Sequence, residues 1–398
     1  MTSLLYACFD EVPSFKGAST HVLAVCRSLR RRFDVELVTL GENPLPRTAG
    51  FTHRPIALAE PNFLRRGEQF RAHVERVIEA RRPARAHFRS PWEGLSIVRA
   101  KIPAVYEVNG FASIELPQTY RVPASVLAVL ARWEQECVQS AHTVVCPSER
   151  IARCVRERYG ARSVQVIPNG YDAPTSIEPA PPPGGDEPLR AVYLGTLHPW
   201  QGLFVLLHAL ASLLDAKVPI TLDVIAPVHR HFTRTFERLL MRRGLGRIVH
   251  LLPPTHRGRL AQILPEYHVG LLPLTKSPRN VEQGCCPIKA LDYLAHGLPV
   301  LASDLFVVRE LLSHEHNALL VPPNHAPALA AALLRLRAEP ALLQALRANA
   351  RASLCDRLDW DAHGALVCNV HASHTSQPAS GSSERSASSV RVRSSAAE

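Results

Sequence analysis

Residues 174–188, PTSIEPAPPPGGDEP, constrain this chain more than any other segment. Proline removes a backbone donor and glycine adds chain entropy, so neither a helix nor a strand runs through such a stretch. The same pattern appears on both sides of it. Upstream, short apolar runs at residues 3–8, 34–40, 103–108, 143–147 and 164–167 read as strands, alternating with helical spacing over 18–31, 63–80 and 126–140. Downstream, strands are expected at 190–197, 220–226, 249–252, 269–273 and 300–302, and helices at 204–216, 231–243, 257–263, 287–295, 307–313 and 326–351. Such alternation builds parallel sheets covered on both faces. The sequence therefore predicts an α/β chain of two Rossmann-like, doubly wound domains facing a cleft: residues 1–173, the linker, and residues 189–355. Ligands of such sheets bind at the carboxyl ends of the strands. Residues 373–398 are Ser-rich, too poor in large apolar side chains to offset ordering entropy, and are expected to be disordered.

Composition narrows the partners. Lys and Arg number 46 against 35 Asp and Glu, a formal charge of +11. A basic balance suits nucleic acid, an anionic membrane or a phosphorylated ligand. There is no zinc-finger spacing and no aromatic-rich basic motif, so nucleic acid is not expected. The nine cysteines are irregularly spaced and none forms a CxxC pair, which argues for reduced thiols in a cytosol over a zinc site or disulfide framework. The start MTSLLYACFDEVP reads as a strand, not a signal peptide, and no apolar run reaches the ~18 residues of a membrane span. A cytoplasmic protein is expected. In residues 63–82, Phe63, Phe70, Val74, Val77 and Ile78 share one side, and Arg65, Arg66, Arg71 and Arg76 lie outside it. This is first a core-packed helix with a solvated face, and second a surface for peripheral contact with the inner membrane face.

The segment GCCPIKALDYLAHGLPVLASD, residues 284–304, carries the most chemistry. Gly284, Cys285, Cys286 and Pro287 make a turn into a helix whose first residues include Ile288 and Lys289. A helix start preceded by small residues offers free N–H groups and a positive dipole end, which suits a diphosphate. Lys289 can reach the same anion. Asp292, one turn on, can accept hydrogen bonds from a ribose diol. An ordinary helix–turn–strand unit explains the same residues without a ligand.

PIKALDYLAHGLPVLASD is similar to the donor-binding signature of glycosyltransferase family 4, which ends in E-Y-x-A-x-G-x-P-V-V-A. The resemblance implies that Asp292 takes the place of the Glu that binds the ribose. The earlier Glu of the signature, which touches the donor sugar, falls on Gly284, a departure that leaves the sugar without its carboxylate. VIPNGYD (166–172) resembles the segment that closes the family's first domain, and VPSFKGASTHV (12–22) its first glycine-rich loop, with Gly17 close to donor and acceptor. YLGTLHPWQGL (193–203) resembles the segment that opens the second domain, but Thr196 and Gln201 stand where most members have the Arg and Lys that clamp the diphosphate. Lys276, Arg279 and Lys289 are the cations nearest the donor loop in sequence. YEVNG places Asn109 where many members use a His near the donor sugar, with Glu107 beside it as a second catalytic candidate and His87 as an alternative. The family's last helix crosses back to the first domain, a role for residues 356–372.

The resemblance implies the GT-B fold and transfer of a sugar, with retention, from a nucleotide sugar to a glycan, lipid-linked or small-molecule acceptor. With no acidic cluster in the sequence, no metal and no other cofactor are expected, and Lys side chains with helix N-termini carry the positive charge. The missing Glu, Arg and Lys keep open a protein that binds nucleotide sugar without turnover. A dinucleotide-dependent dehydrogenase is the other two-Rossmann alternative, but no GxGxxG follows either first strand.

Overall fold

The structure is a computed structural model and describes residues 1–172, 178–227, 230–355 and 357–373. The expected disordered tail beyond residue 373 and the first part of the linker lie outside the described residues. The strands form two fully parallel sheets. The first holds β1 (Thr2–Glu11), β2 (Phe33–Leu40), β3 (Thr52–Ile56), β4 (Arg85–Phe88), β5 (Ala104–Glu107), β6 (Thr143–Cys146) and β7 (Val164–Val166), in the order β3-β2-β1-β4-β5-β6-β7. The second holds β8 (Leu189–Leu194), β9 (Ile220–Ile225), β10 (Val249–Leu252), β11 (Val269–Leu272), β12 (Val300–Ser303) and β13 (Ala318–Val321), in the order β10-β9-β8-β11-β12-β13. In each sheet the chain builds outward on one side of its first strand, then returns to the other side. That reversal leaves a crevice at the carboxyl ends of β1 and β4, and of β8 and β11.

Burial explains the strands. Leu4 to Cys8 is an unbroken buried run, because a parallel strand covered on both faces has no wet side. Leu5 and Ala7 pack with Phe70, Val74 and Leu95. Leu4, Tyr6 and Cys8 pack on the opposite face with Val22, Val25, Val367 and Val370. The second sheet divides in the same way: Ala191 and Tyr193 join one cluster with Leu203 and Leu207, and Val192 and Leu194 join another with Ala290 and Leu294.

Three strands were not expected from sequence. β3 reads THRPI, with a proline and alternating polar residues, which only an edge position tolerates. β4 reads RAHF, and its polar side chains are buried because partners meet them: Arg85 Nη1 donates to the His371 carbonyl at 2.7 Å, and His87 Nδ1 lies 3.1 Å from His371 Nε2. β13 is a short edge strand. Some helix bounds also differ. The helix expected over 307–313 is the single turn Phe306–Arg309, while the helices expected over 326–351 are Ala326–Ala338 and Pro340–Ala352, with Pro340 starting the second.

The Trp360–Ser373 helix returns to the first sheet and packs along the Gly17–Leu29 helix. Tyr171 and Asp359 form a parallel bridge, so the outgoing and returning chain cross between lobes side by side. The two helices approach closely at Gly364, where a Cβ would fall 2.0 Å from Ser28 Oγ and 2.5 Å from Ser28 Cβ. Gly364→Val should therefore cost about 1–3 kcal/mol through overpacking. Thermal unfolding of the variant checks this, and an unchanged Tm would show that the contact is slack.

Candidate active site

A cleft of about 680 Å³ opens between the carboxyl ends of the two sheets, within the range of small-molecule sites. The loop after β1, the loop after β8 and the start of the Ile288–Ala295 helix all line it. The lobes meet there: a Cβ on Gly17 would lie 3.3 Å from Ile288 Cδ1.

In the C-terminal lobe, Pro287 caps the Ile288–Ala295 helix and no acidic residue occupies its first turn. The first N–H groups of a helix have no intrahelical acceptors, so Ile288 and Lys289 offer donors to the cleft. The Lys289 side chain is half-buried beside them. Its Nζ donates to Gln201 Oε1 at 2.8 Å and lies 4.2 Å from the centroid of the Tyr193 ring. Gly195 makes room for it, since a Cβ there would be 2.8 Å from Nζ. Burial first, and then repulsion from Arg279, lower the Lys289 ammonium to about 7. Among the described residues no carboxylate forms an ion pair with it. Thr196 lines the same wall and accepts the Tyr193 hydroxyl through its carbonyl at 2.6 Å.

Asp292 lines the cleft one turn further along the helix. It is engaged by Arg257, whose Nη2 donates to Asp292 Oδ1 at 2.5 Å and whose Nε donates to Asp172. Burial alone would lower the Arg257 guanidinium, but Asp292 and Asp172 outweigh it and raise it above its ordinary value. Arg257 was not a sequence candidate. Its partners are remote along the chain, and nothing in its own segment marks it.

Gly284, the place of the family's sugar-binding Glu, does not line the cleft. It sits at φ +95° against the Glu149–Tyr159 helix, and a Cβ would meet Arg150 Cγ at 2.7 Å and Ile151 N at 3.1 Å. The turn before it brings other groups inward. Arg279 lines the cleft, donating from Nε to Glu115 Oε1 at 3.0 Å and from Nη1 to Asn280 Oδ1 at 3.0 Å. Gln283 joins the lobes: its Oε1 accepts the Phe111 N–H at 2.8 Å and its Nε2 donates to Glu115 at 2.9 Å. Cys285 and Cys286 border the cleft as thiols, both raised by burial. Lys276 is exposed and does not line the cleft.

The N-terminal floor is a polar network around Glu107, itself only 2% exposed. Its Oε2 meets His21 Nε2 at 2.9 Å and His87 Nε2 at 3.1 Å, and its Oε1 accepts from Arg89 Nε at 3.1 Å and from Asn109 Nδ2. Burial raises such a carboxyl. Here the charges of His21 and Arg89, with hydrogen bonds from His21 and His87, overcome it and hold Glu107 well below its ordinary value. Asn109, His21 and Arg89 line the cleft, whereas Glu107 and His87 lie beneath them. His21 Nδ1 also meets Asn169 Oδ1 at 3.0 Å, and Asn169 Nδ2 donates to the Cys286 carbonyl at 3.1 Å across the cleft. His21 and Arg89 were not picked out from sequence, although His21 falls inside the glycine-rich loop motif.

Two doubly wound lobes facing a shared cleft define the GT-B architecture. Residues 15–173 match "Glycosyltransferase Family 4" and residues 188–339 match "Glycosyl transferases group 1"; the chain belongs to glycosyltransferase family 4. It is 24% identical over 298 residues to D-inositol 3-phosphate glycosyltransferase of Streptomyces bingchenggensis, covering 70% of this chain and 63% of that protein. The chain spans less than two thirds of the length of the curated relatives it matches. Sucrose-phosphate synthase from Thermosynechococcus elongatus aligns at a TM-score of 0.75 and 16% identity, covering 94% of this chain and 99% of that one. HepE of Anabaena, solved in complex with UDP-glucose, aligns at 0.73 and 16%, covering 94% and 100%.

Removing the Glu107 charge should leave Arg89 and the histidines in a low-dielectric floor without their counter-ion. Glu107→Gln is expected to cost about 3–5 kcal/mol. A Tm near that of the unchanged protein would refute the keystone role of this carboxylate.

Proposed function

We propose that the chain transfers a sugar from a nucleoside diphosphate sugar, held mainly by the C-terminal lobe, to an acceptor on the N-terminal side. The observation that carries this reading is Lys289, a cation with no carboxylate partner among the described residues, beside free helix N–H groups and one turn before Asp292 in an interlobe cleft. Those groups fit a diphosphate followed by a ribose. The relatives point the same way: two are named as D-inositol 3-phosphate glycosyltransferases, and HepE was solved with UDP-glucose.

As the glycosidic bond to phosphate breaks, charge develops on the leaving diphosphate. Lys289, Arg279 and the helix N-terminus stand where they can stabilise it, so this reading assigns no metal. Among the described residues lining the cleft the carboxylate is Asp292, tied to Arg257. Glu107 lies behind Asn109, His21 and Arg89. This supports front-side transfer with retention, in which the departing phosphate takes the acceptor proton. Asn109 orients sugar or acceptor. The acceptor is a glycan or a lipid-linked or small molecule, met in the cytoplasm or at the inner membrane face. No helix among the described residues is long and apolar enough to cross a membrane.

Binding without turnover is a second reading, favoured by Thr196 and Gln201 standing where most members have cations. Release of nucleoside diphosphate from a bound nucleotide sugar, with acceptor or water, decides between the two. Lys289→Ala should weaken nucleotide-sugar binding about ten- to hundredfold, the scale of a hydrogen bond to a charged group. Unchanged affinity in calorimetry would place the diphosphate elsewhere.

The ammonium also sets a pH dependence. Free Lys289 titrates near 7, and a bound diphosphate favours its cationic form, so its pKa rises on binding. Affinity should be greatest below that pH and fall as pH rises above it, with proton uptake on binding at pH of about 7–8. Calorimetry in two buffers of different ionisation enthalpy measures the uptake. Its absence, or affinity level across that range, would contradict the assignment.

A further inference from the structure

The cleft has a direction. Asp292 and Arg257 mark its nucleoside end, Lys289 lies one turn back at the helix start, and Arg279 lies beyond the helix start, toward the N-terminal lobe. Arg279 is close enough to Lys289 to lower it, and it reaches Glu115 of the other lobe. The group bonded to the diphosphate, the sugar, therefore falls beside Arg279.

A neutral sugar presents hydroxyl donors, which carboxylates and amide oxygens accept. This end of the cleft is built the other way round. Glu115 is engaged by Arg279 and Gln283, and Glu107 by Arg89, Asn109 and two histidines. Of these groups the carboxylates do not line the space, whereas Arg279, Arg89, His21 and Asn109 do, so its charged lining is the guanidinium side of these pairs. Gly284, where the family signature has a sugar-binding carboxylate, is packed so closely on the Glu149–Tyr159 helix that no side chain fits without moving it. Arg279 is also pre-set. Its Nε and Nη1 are held by Glu115 and Asn280, and its guanidinium carbon lies 5.5 Å from the centroid of the Trp200 ring. The guanidinium also hydrogen-bonds the Cys285 thiol, and neither the Glu115 nor the Asn280 bond uses Nη2. A charged donor that remains favours a carboxylate over a hydroxymethyl group, through a charge-assisted hydrogen bond.

We infer that the donor sugar carries a carboxylate, as a hexuronate does, and that Arg279 selects it; this rests on the nucleotide-sugar reading of the cleft. A hexose and its uronate differ only at C6, CH2OH against COO−, so the contrast can be tested with matched ligands. Calorimetry on the full chain would compare UDP-glucose with UDP-glucuronate and GDP-mannose with GDP-mannuronate, with UDP and GDP alone as references. For the nucleotide that binds, the uronate is expected to bind at least about tenfold more tightly than the neutral sugar. Arg279→Gln should remove that preference, bringing the affinities of the uronate and the neutral sugar within about twofold of each other whatever it does to the binding of the nucleoside diphosphate itself. The ligand comparison needs no variant, so it decides the matter even if Arg279→Gln does not fold. Equal or tighter binding of the neutral sugar overturns the inference and leaves the donor reading standing. An Arg279→Gln variant that keeps the preference removes Arg279 as the selector. If no nucleotide or nucleotide sugar binds, the donor reading falls as well.

Discussion

The buried Glu107 carboxylate is the group on which the N-terminal half of the cleft depends. It collects His21 from the Gly17–Leu29 helix, His87 and Arg89 from and just after β4, and Asn109 beyond β5. Through His87 the network reaches His371 on the returning C-terminal helix. A buried charge is costly unless it is paired and hydrogen-bonded, and a multiply satisfied one fixes geometry more than it adds stability. Each partner is held at one end by Glu107, and three of them, His21, Arg89 and Asn109, present their remaining surface to the cleft. The floor is thus a single arrangement, set by one carboxylate that does not itself line the cleft.

The lobes are joined by residues that also shape the cleft chemistry. Gln283 bridges Phe111 and Glu115, Arg279 pairs with Glu115, and Asn169 links His21 to the Cys286 carbonyl. Further out, the Glu310 carboxylate accepts the N–H groups of Glu149 and Arg150 at 3.0 and 3.2 Å, a carboxylate on a helix N-terminus. Moving the lobes apart would break these bonds and release Arg279 from its counter-ion. Opening and closing of the cleft and the electrostatics of its sugar end are therefore one variable.

The architecture was legible because a strand covered on both faces must be continuously apolar, and Leu4–Cys8 or Val269–Leu272 can hardly be anything else. The strands that escaped notice were those whose burial depends on partners far along the chain, such as Arg85 and His87 beneath His371. The site divides in the same way. Lys289 and Asp292 share a helix with a readable start, so spacing alone put them one turn apart. Arg257 meets Asp292 and Asp172 only after the fold forms, and no local pattern announces it. Gly284 could be read as a departure from the family signature, but that it turns toward Arg150 and away from the cleft is a consequence of packing.

That packing also relates the departures to one another. Thr196 and Gln201 remove two cations from the loop after β8, yet Gln201 is the residue that binds the Lys289 ammonium, over the space that Gly195 leaves open. The loop no longer supplies charge; it positions charge supplied by the facing helix. At the nucleoside end Arg257 is matched by Asp292 and Asp172, and at the floor Arg89 is matched by Glu107 and Asp10. Lys289 lies between them without such a match among the described residues. An anion entering the cleft therefore meets its least compensated positive charge at the helix start. That one asymmetry is enough to fix which part of an extended, doubly charged ligand comes to rest there, and so which of its ends faces each lobe.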